Sequence, residues 1–296
     1  VTVLLGVDLG GSSTKVVLQH GSTVRDQRVL PGRLSADGLP GLAAALRDAA
    51  GGDEIAGVGV TVPGILDETT GVVRRSVNLP WLDGRDVAAE VSALVGAPAV
   101  AMHDGRAAAL AEAVLGAGRG TRDVYVLTLG TGVAGAHVVD GSARPGAHGA
   151  AGEIGHVSLD PEGLPCGCGQ RGCLETVVGA PSLLRRWQQR TGRTGGAVSA
   201  ISDAADAGDP DARAVLDEAG AALATALLGL VAVLDPGLVV LGGGVGESGV
   251  LRARVEAGLR ARATFHVVPP VVPAGLGRWA GARGAALAAG RVAVAG

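Results

Sequence analysis

The chain has 296 residues, 47% of them hydrophobic, with a formal net charge of -3. That length and apolar content suit two lobes rather than one compact domain. The charge balance supplies neither a basic face for nucleic acid nor a polybasic segment for a membrane, so an anionic ligand must be held by local geometry.

In chain order, "VLLGVDL" reads as a buried strand ended by Gly10 and Gly11, and "STKVVLQ" and "STVRDQRVL" continue it as a three-stranded meander. No secretion-type leader is legible before it, which makes the reducing cytoplasm the expected compartment. "IAGVGVTVPG" predicts another buried strand, closed by Pro63-Gly64. "DVAAEVSALVGAP" predicts a helix capped by Asp86 and ended at Gly96. "HDGRAAALAEAVLG" predicts a second helix that ends near Gly116, with Asp104 at its start, where a helix N-cap is the alternative to a chemical role.

Residues 125–141, "YVLTLGTGVAGAHVVDG", repeat the plan of residues 4–21: apolar strand, glycine turn, apolar strand, turn. Two copies point to a duplicated α/β domain rather than a solenoid. Asp209-Pro210 opens a long helix through Leu234 whose apolar stretch stops short of a membrane span, and "GLVVLGGGVGES" adds a strand and a third glycine turn.

Glycine turns after buried strands expose backbone N–H groups that can cradle phosphate. The candidates are Gly10, Gly11 and Ser12 beside Asp8; Gly130, Thr131 and Gly132; and Gly242, Gly243 and Gly244. Asp8 beside phosphate-binding amides makes sense if Mg²⁺ bridges them. None of the three turns matches the P-loop or Rossmann fingerprint.

All three cysteines, Cys166, Cys168 and Cys173, lie in one short window, with His156 before them. Three thiolates and an imidazole suit tetrahedral Zn²⁺ in a closed, structural site; the alternative reading is a redox cluster, and His148 is a weaker fourth ligand. Such a site would tie the flanking Glu153 and Glu175 to one rigid loop. Lys15, the only lysine, reads as compositional bias.

With "DLGGS", "HDGRAAALAE", "LGTGV", "GAAGEIGH", "CGCGQRGCLE" and "LGGGV" in order, the chain resembles the ROK family (repressors, open reading frames, kinases), above all its glucokinase-like members. The resemblance implies a duplicated actin-like, ribonuclease H-like fold closing over a hexose and MgATP. One lobe is expected over 1–117, completed by a C-terminal helix at 281–296, and the other over 118–280. It implies transfer of the γ-phosphoryl group to a hexose hydroxyl, usually on C6, with Asp104 as general base. Gly64, Asn78, His103, Glu153, His156 and Glu175 would line the sugar pocket, and a homodimer is the expected assembly.

The chain departs from the family pattern N-D-A-N, reading His103-Asp104-Gly105-Arg106. Imidazole in place of the amide has two readings, drift within a glucokinase or a different group at that edge of the ring, such as the amine of kanosamine. The competing readings are a sugar-responsive regulator, for which no basic DNA-binding helix is visible, and a polyphosphate-dependent kinase.

Overall fold

The structure is a computed structural model; it describes every residue except Val77 and Gly296, and every side chain except those of residues 77 and 294–296. The chain forms two compact units, one of residues 1–115, 141–151 and 278–296, the other of 116–140 and 152–277.

In the first unit, strands β1 (Thr2–Leu9), β2 (Ser13–His20) and β3 (Thr23–Pro31) form the expected antiparallel meander. Helix α1 (Leu39–Ala50) leads to β4 (Glu54–Val62), parallel to β1. A small hairpin of β5 (Ile65–Leu66) and β6 (Val73–Arg75) follows. Helix α2 (Val87–Val95) is capped by Asp86, which accepts from Ala89 N–H, and ends on left-handed Gly96. Strand β7 (Ala99–His103) pairs parallel with β4 and runs directly into α3 (Asp104–Val114).

Alternation decides which face of this sheet each residue meets. Val3, Leu5, Val7 and Leu9 of β1 and Val58, Val60 and Val62 of β4 join Leu42, Leu46, Val87 and Val91 in one apolar core. On the opposite face, Gly6, Gly57 and Gly59 leave room for the backbone of the last helix.

The second unit opens with the hairpin of β8 (Asp123–Leu129) and β9 (Val133–Val139), after which the chain passes through β10 (Ser142–Ala143) in the first unit's excursion. Helices α4 (Glu175–Val178), α5 (Ala180–Thr191), α6 (Ser199–Asp206) and α7 (Pro210–Leu234) precede β11 (Leu238–Gly242), which pairs parallel with β8. The one-turn helix α8 (Gly243–Gly246), helix α9 (Gly249–Arg262) and strand β12 (Val271–Pro273), parallel to β11, complete it. The order β9-β8-β11-β12 repeats the antiparallel-then-parallel plan of β2-β1-β4-β7, the duplication read from the sequence.

One local expectation is corrected. The third glycine run is not an open turn: after Gly243, at φ +81°, the chain coils into α8, because Val245 and Gly246 are buried against the end of β11. Helix α3 runs to Val114 with Leu115 as its C-cap, so Gly116 stands just past its end, as expected. Helix α7 is long and apolar enough to cross a membrane by length and composition, but half of that stretch is buried, with Leu216, Leu223 and Leu227 in the second unit's core.

Helix α10 (Ala280–Ala295) returns to the first unit and packs on β1, β4 and α3. A Cβ on Gly6 would lie 1.8 Å from Ala282 O, one on Gly59 1.8 Å from Ala285 O, and one on Gly284 1.7 Å from Ala107 O. This backbone-on-backbone seat sets the strand and helix ends that carry Asp8 and Asp104.

Candidate active site

Asp8 stands near the end of β1, where hairpin register places it opposite Lys15. Lys15 Nζ donates to Asp8 Oδ2 at 2.9 Å, and Thr61 Oγ of the neighbouring strand donates to Oδ1 at 2.8 Å. Beyond it the first turn is closed by Gly10 N–H donating to Ser13 C=O at 3.1 Å, while Gly11 faces open space and its carbonyl accepts from Arg33 Nε at 3.1 Å. Sequence reasoning missed Lys15 and Thr61. The signal for Lys15 was the hairpin itself, which makes residue 15 the partner of residue 8.

Asp104 follows β7 as the first residue of α3. The N-cap position belongs to His103, in extended geometry and without a side-chain cap bond, so the alternative reading of Asp104 as the helix N-cap does not hold. Asp104 Oδ1 instead accepts from its neighbour Gly105 N–H at 2.7 Å. His103 Nε2 stands 3.4 Å from Asp104 Oδ1. Although 44% of the Asp104 side chain meets solvent, the carboxyl is pushed up to about 6, first by desolvation and further by the charge of Asp8, with Gly105 N–H and Arg106 opposing. A carboxylate in that range can both hold and release a proton near neutral pH.

Gly64, at φ +108°, lets the chain after β4 press against Arg75 and Ser76; a Cβ there would lie 2.3 Å from Arg75 O. Ser76 N–H donates to Asp83 Oδ1 at 2.6 Å, and its hydroxyl accepts from Leu79 N–H at 3.2 Å, so the bend holding exposed Asn78 is fastened on both sides.

In the second unit the "GEIGH" segment lies directly on β9. Gly135 N–H donates to Gly152 C=O at 2.7 Å, and Cβ atoms on Gly152 and Gly155 would meet Gly135 O at 1.9 Å and Val133 O at 2.2 Å. The two glycines thus seat Glu153 and His156. His156 faces two ways: Nε2 lies 3.8 Å from Glu153 Oε2, and Nδ1 lies 3.7 Å from Cys166 Sγ. Glu175, at the start of α4, accepts from Val133 N–H at 2.9 Å, which ties it to the Gly130–Gly132 turn. Ala180 N–H donates to Gly130 C=O at 2.9 Å, fastening the same turn to α5. The β8 and β11 turns leave the same end of neighbouring parallel strands, and Gly243 sits on Leu129: a Cβ there would be 2.2 Å from Leu129 O.

The ligand atoms of His156, Cys166, Cys168 and Cys173 all lie within 4.8 Å of one another, with Cys168 and Cys173 Sγ 3.6 Å apart. Zn–S bonds of about 2.3 Å arranged tetrahedrally put sulfurs about 3.7 Å apart, so the four side chains fit structural zinc. Gly169 and Gly172 turn the loop at φ +97° and +62°. The buried Cys173 thiol is pushed up to about 12 by desolvation and its sulfur neighbours, so a cation is what would make it a thiolate. His148 is not among the four.

The pattern that defines the ROK family matches residues 4–291. The chain belongs to the ROK family. The glucokinase of Thermotoga maritima is 32% identical over 288 residues, covering 91% of this chain and 89% of that one. The ROK hexokinase of Thermus thermophilus superposes with a TM-score of 0.87 at 33% identity, over 99% of this chain and 100% of that one. A ROK family glucokinase from Streptomyces griseus, in complex with glucose and AMPPNP, gives 0.84 at 30% identity, over 98% and 99%. The fold is thus the actin-like, two-lobed α/β fold of ROK sugar kinases, and the chain is a sugar kinase.

Proposed function

We propose that this ROK protein transfers the γ-phosphoryl group of MgATP to the C6 hydroxyl of glucose or a glucose-like amino sugar, with Asp104 as general base. The observation that carries the reading is the placement of the Asp104 carboxyl, partly open to solvent at the start of α3, with His103 Nε2 at 3.4 Å and Gly105 N–H donating to it; desolvation, which raises it to about 6, suits it to the role. In the reaction the sugar hydroxyl oxygen attacks Pγ, the bond from Pγ to the β-phosphate oxygen breaks, ADP leaves, and the hydroxyl proton passes to Asp104. Mg²⁺ arrives with ATP and neutralises phosphate charge. Asp8, with Ser12 and the amides of Gly10 and Gly11, is assigned to the magnesium-phosphate end; the turn at 130–132 and the glycines 242–244, where β11 passes into α8, are assigned to the nucleotide.

Gly64, Asn78, Glu153, His156 and Glu175 are assigned to the sugar. For His156 the support is its orientation, Nδ1 toward the cysteines and Nε2 toward Glu153; zinc at the cysteines would hold that ring without taking part in chemistry. His103, against Asp104, is assigned to choice of sugar, and an amine on C3, as in kanosamine, could donate to its neutral ring.

The test is ADP release with MgATP across glucose, kanosamine, glucosamine, N-acetylglucosamine, mannose and N-acetylmannosamine, with products identified by NMR. Phosphorylation of one of these at C6, lost in Asp104→Asn, is expected; full turnover in that variant would end the assignment. Kanosamine preference that shifts to glucose in His103→Asn supports the specificity role, and an unchanged preference removes it. A donor panel with polyphosphate separates the two phosphoryl sources.

A further inference from the structure

Arg106, two positions after Asp104, is a cation in the first turn of α3, where the helix macrodipole disfavours positive charge. It is also 2% exposed, among the largest fully buried side chains described. A residue set against both local preference and desolvation calls for a reason elsewhere in the structure.

Its contacts supply one. Arg106 Nε donates to Glu68 Oε1 at 2.9 Å, Nη2 lies 2.8 Å from the same oxygen, and Nη1 donates to Gly149 C=O at 3.0 Å. Glu68 lies in the turn between β5 and β6, and Gly149 in the excursion 141–151 that the first unit takes from the middle of the chain. Those segments are themselves pressed together, since a Cβ on Gly149, at φ +70°, would lie 2.9 Å from Leu66 O. They form two walls of a cavity of about 370 Å³, lined also by Arg74 and His148. One guanidinium thus joins both walls to the first turn of the helix that begins with Asp104.

We propose that Arg106 is a positioning residue for phosphoryl transfer: braced by Glu68 and Gly149, its guanidinium fixes the first turn of α3 and so the place and electrostatic surroundings of the Asp104 carboxylate. The inference rests on Asp104 being the base. The charged and titratable groups at Asp104 are His103, Asp8 and Arg106, with Glu68 beyond the guanidinium. Arg106 is the cation among them, and it favours the ionised carboxylate that accepts the proton. A buried Arg–Glu pair contributes little net stability against an apolar pair of the same volume, so placement rather than stability is the gain. Lysine would keep the charge but not the forked geometry that reaches Glu68 and Gly149 together.

The experiment compares Arg106→Met, Arg106→Lys, Glu68→Gln and Asp104→Asn by ADP release on the preferred sugar over about pH 5 to 9, with folding followed by circular dichroism. Arg106→Met is expected to lower kcat by about tenfold or more and to move the acid limb of the profile up by about half a pH unit or more. Arg106→Lys should return the limb to its original position with kcat restored only in part. A folded Arg106→Met with kcat within about threefold of the parent and an unmoved limb overturns the proposal. If that variant does not fold, Glu68→Gln decides: loss of the brace lowers kcat by more than about threefold, and a smaller change overturns the proposal. Retained turnover in Asp104→Asn would instead overturn the reading of the base, whatever the Arg106 variants do.

Discussion

Lys15 Nζ sits 2.9 Å from Asp8 Oδ2, across the register that pairs the two residues on β1 and β2. Both side chains are mostly buried, at 21% and 15% exposure, so the pair is poorly screened and removal of one partner strands the other. Thr61 holds the remaining oxygen.

Lys15→Met should therefore leave Asp8 as a carboxylate held by Thr61 alone, with Oδ2 unpaired at the end proposed for magnesium and phosphate. The expected outcome is a rise of about tenfold or more in KM for MgATP with a smaller change in KM for sugar, read from initial rates with each substrate varied. Equal effects on both would place Lys15 outside the phosphate end.

Much of this arrangement is local enough to read in one dimension. Asp86 and Gly96 bound α2 as their chemistry dictates, Asp209-Pro210 opens α7, and Leu234 ends it. The repeated hairpin was visible because strand, glycine turn and strand recur with the same spacing. Gly243–Gly246 was misread because glycines favour turns locally, whereas burial of Val245 and Gly246 against β11 is a tertiary effect. The Arg106 brace had no local trace at all: its partners lie 38 and 43 positions away. Lys15 was legible once the hairpin was drawn, but scarcity of lysine in the composition hid it.

Two glycines three residues apart on α10 should behave in opposite ways. Gly284→Ala places a Cβ 1.7 Å from Ala107 O, backbone that cannot give without moving α3. A loss of about 3 kcal/mol or more is expected in denaturant unfolding. Gly281→Ala meets the Asp8 carboxyl at 3.0 Å while gaining about 0.5–1 kcal/mol of helix preference. It should fold near normally and lose activity through Asp8. Loss of both properties together in Gly281→Ala would show that α10 itself, not Asp8, had shifted.

The cysteine loop predicts about one zinc per chain by elemental analysis. Cys173→Ala removes the buried sulfur of the four and should abolish metal retention. With His156 no longer held from its Nδ1 side, KM for the sugar should rise by about tenfold or more, with a smaller change for ATP. Zinc retained in the variant, or an unchanged sugar KM after zinc loss, would contradict this coupling.

Asp104 connects activity and stability through one proton, with opposite signs. Its carboxyl titrates at about 6 in the folded protein against the ordinary 3.8. Below 6 the base is protonated, so kcat/KM should fall as pH drops through that value; Asp104→Asn should lose about 100-fold or more on the plateau above about pH 7 and lack this acid limb. For folding, the native state binds the proton more tightly than the unfolded chain, so the group costs stability as pH rises from about 4 through 6. Asparagine removes that cost. Asp104→Asn should thus melt higher than the parent at about pH 8, by on the order of 2 °C given the solvent that reaches the side chain, and match it near about pH 4. A variant that is inactive yet no more stable at high pH would mean that solvent already satisfies the carboxylate. The acid limb of the rate profile would then belong to another group.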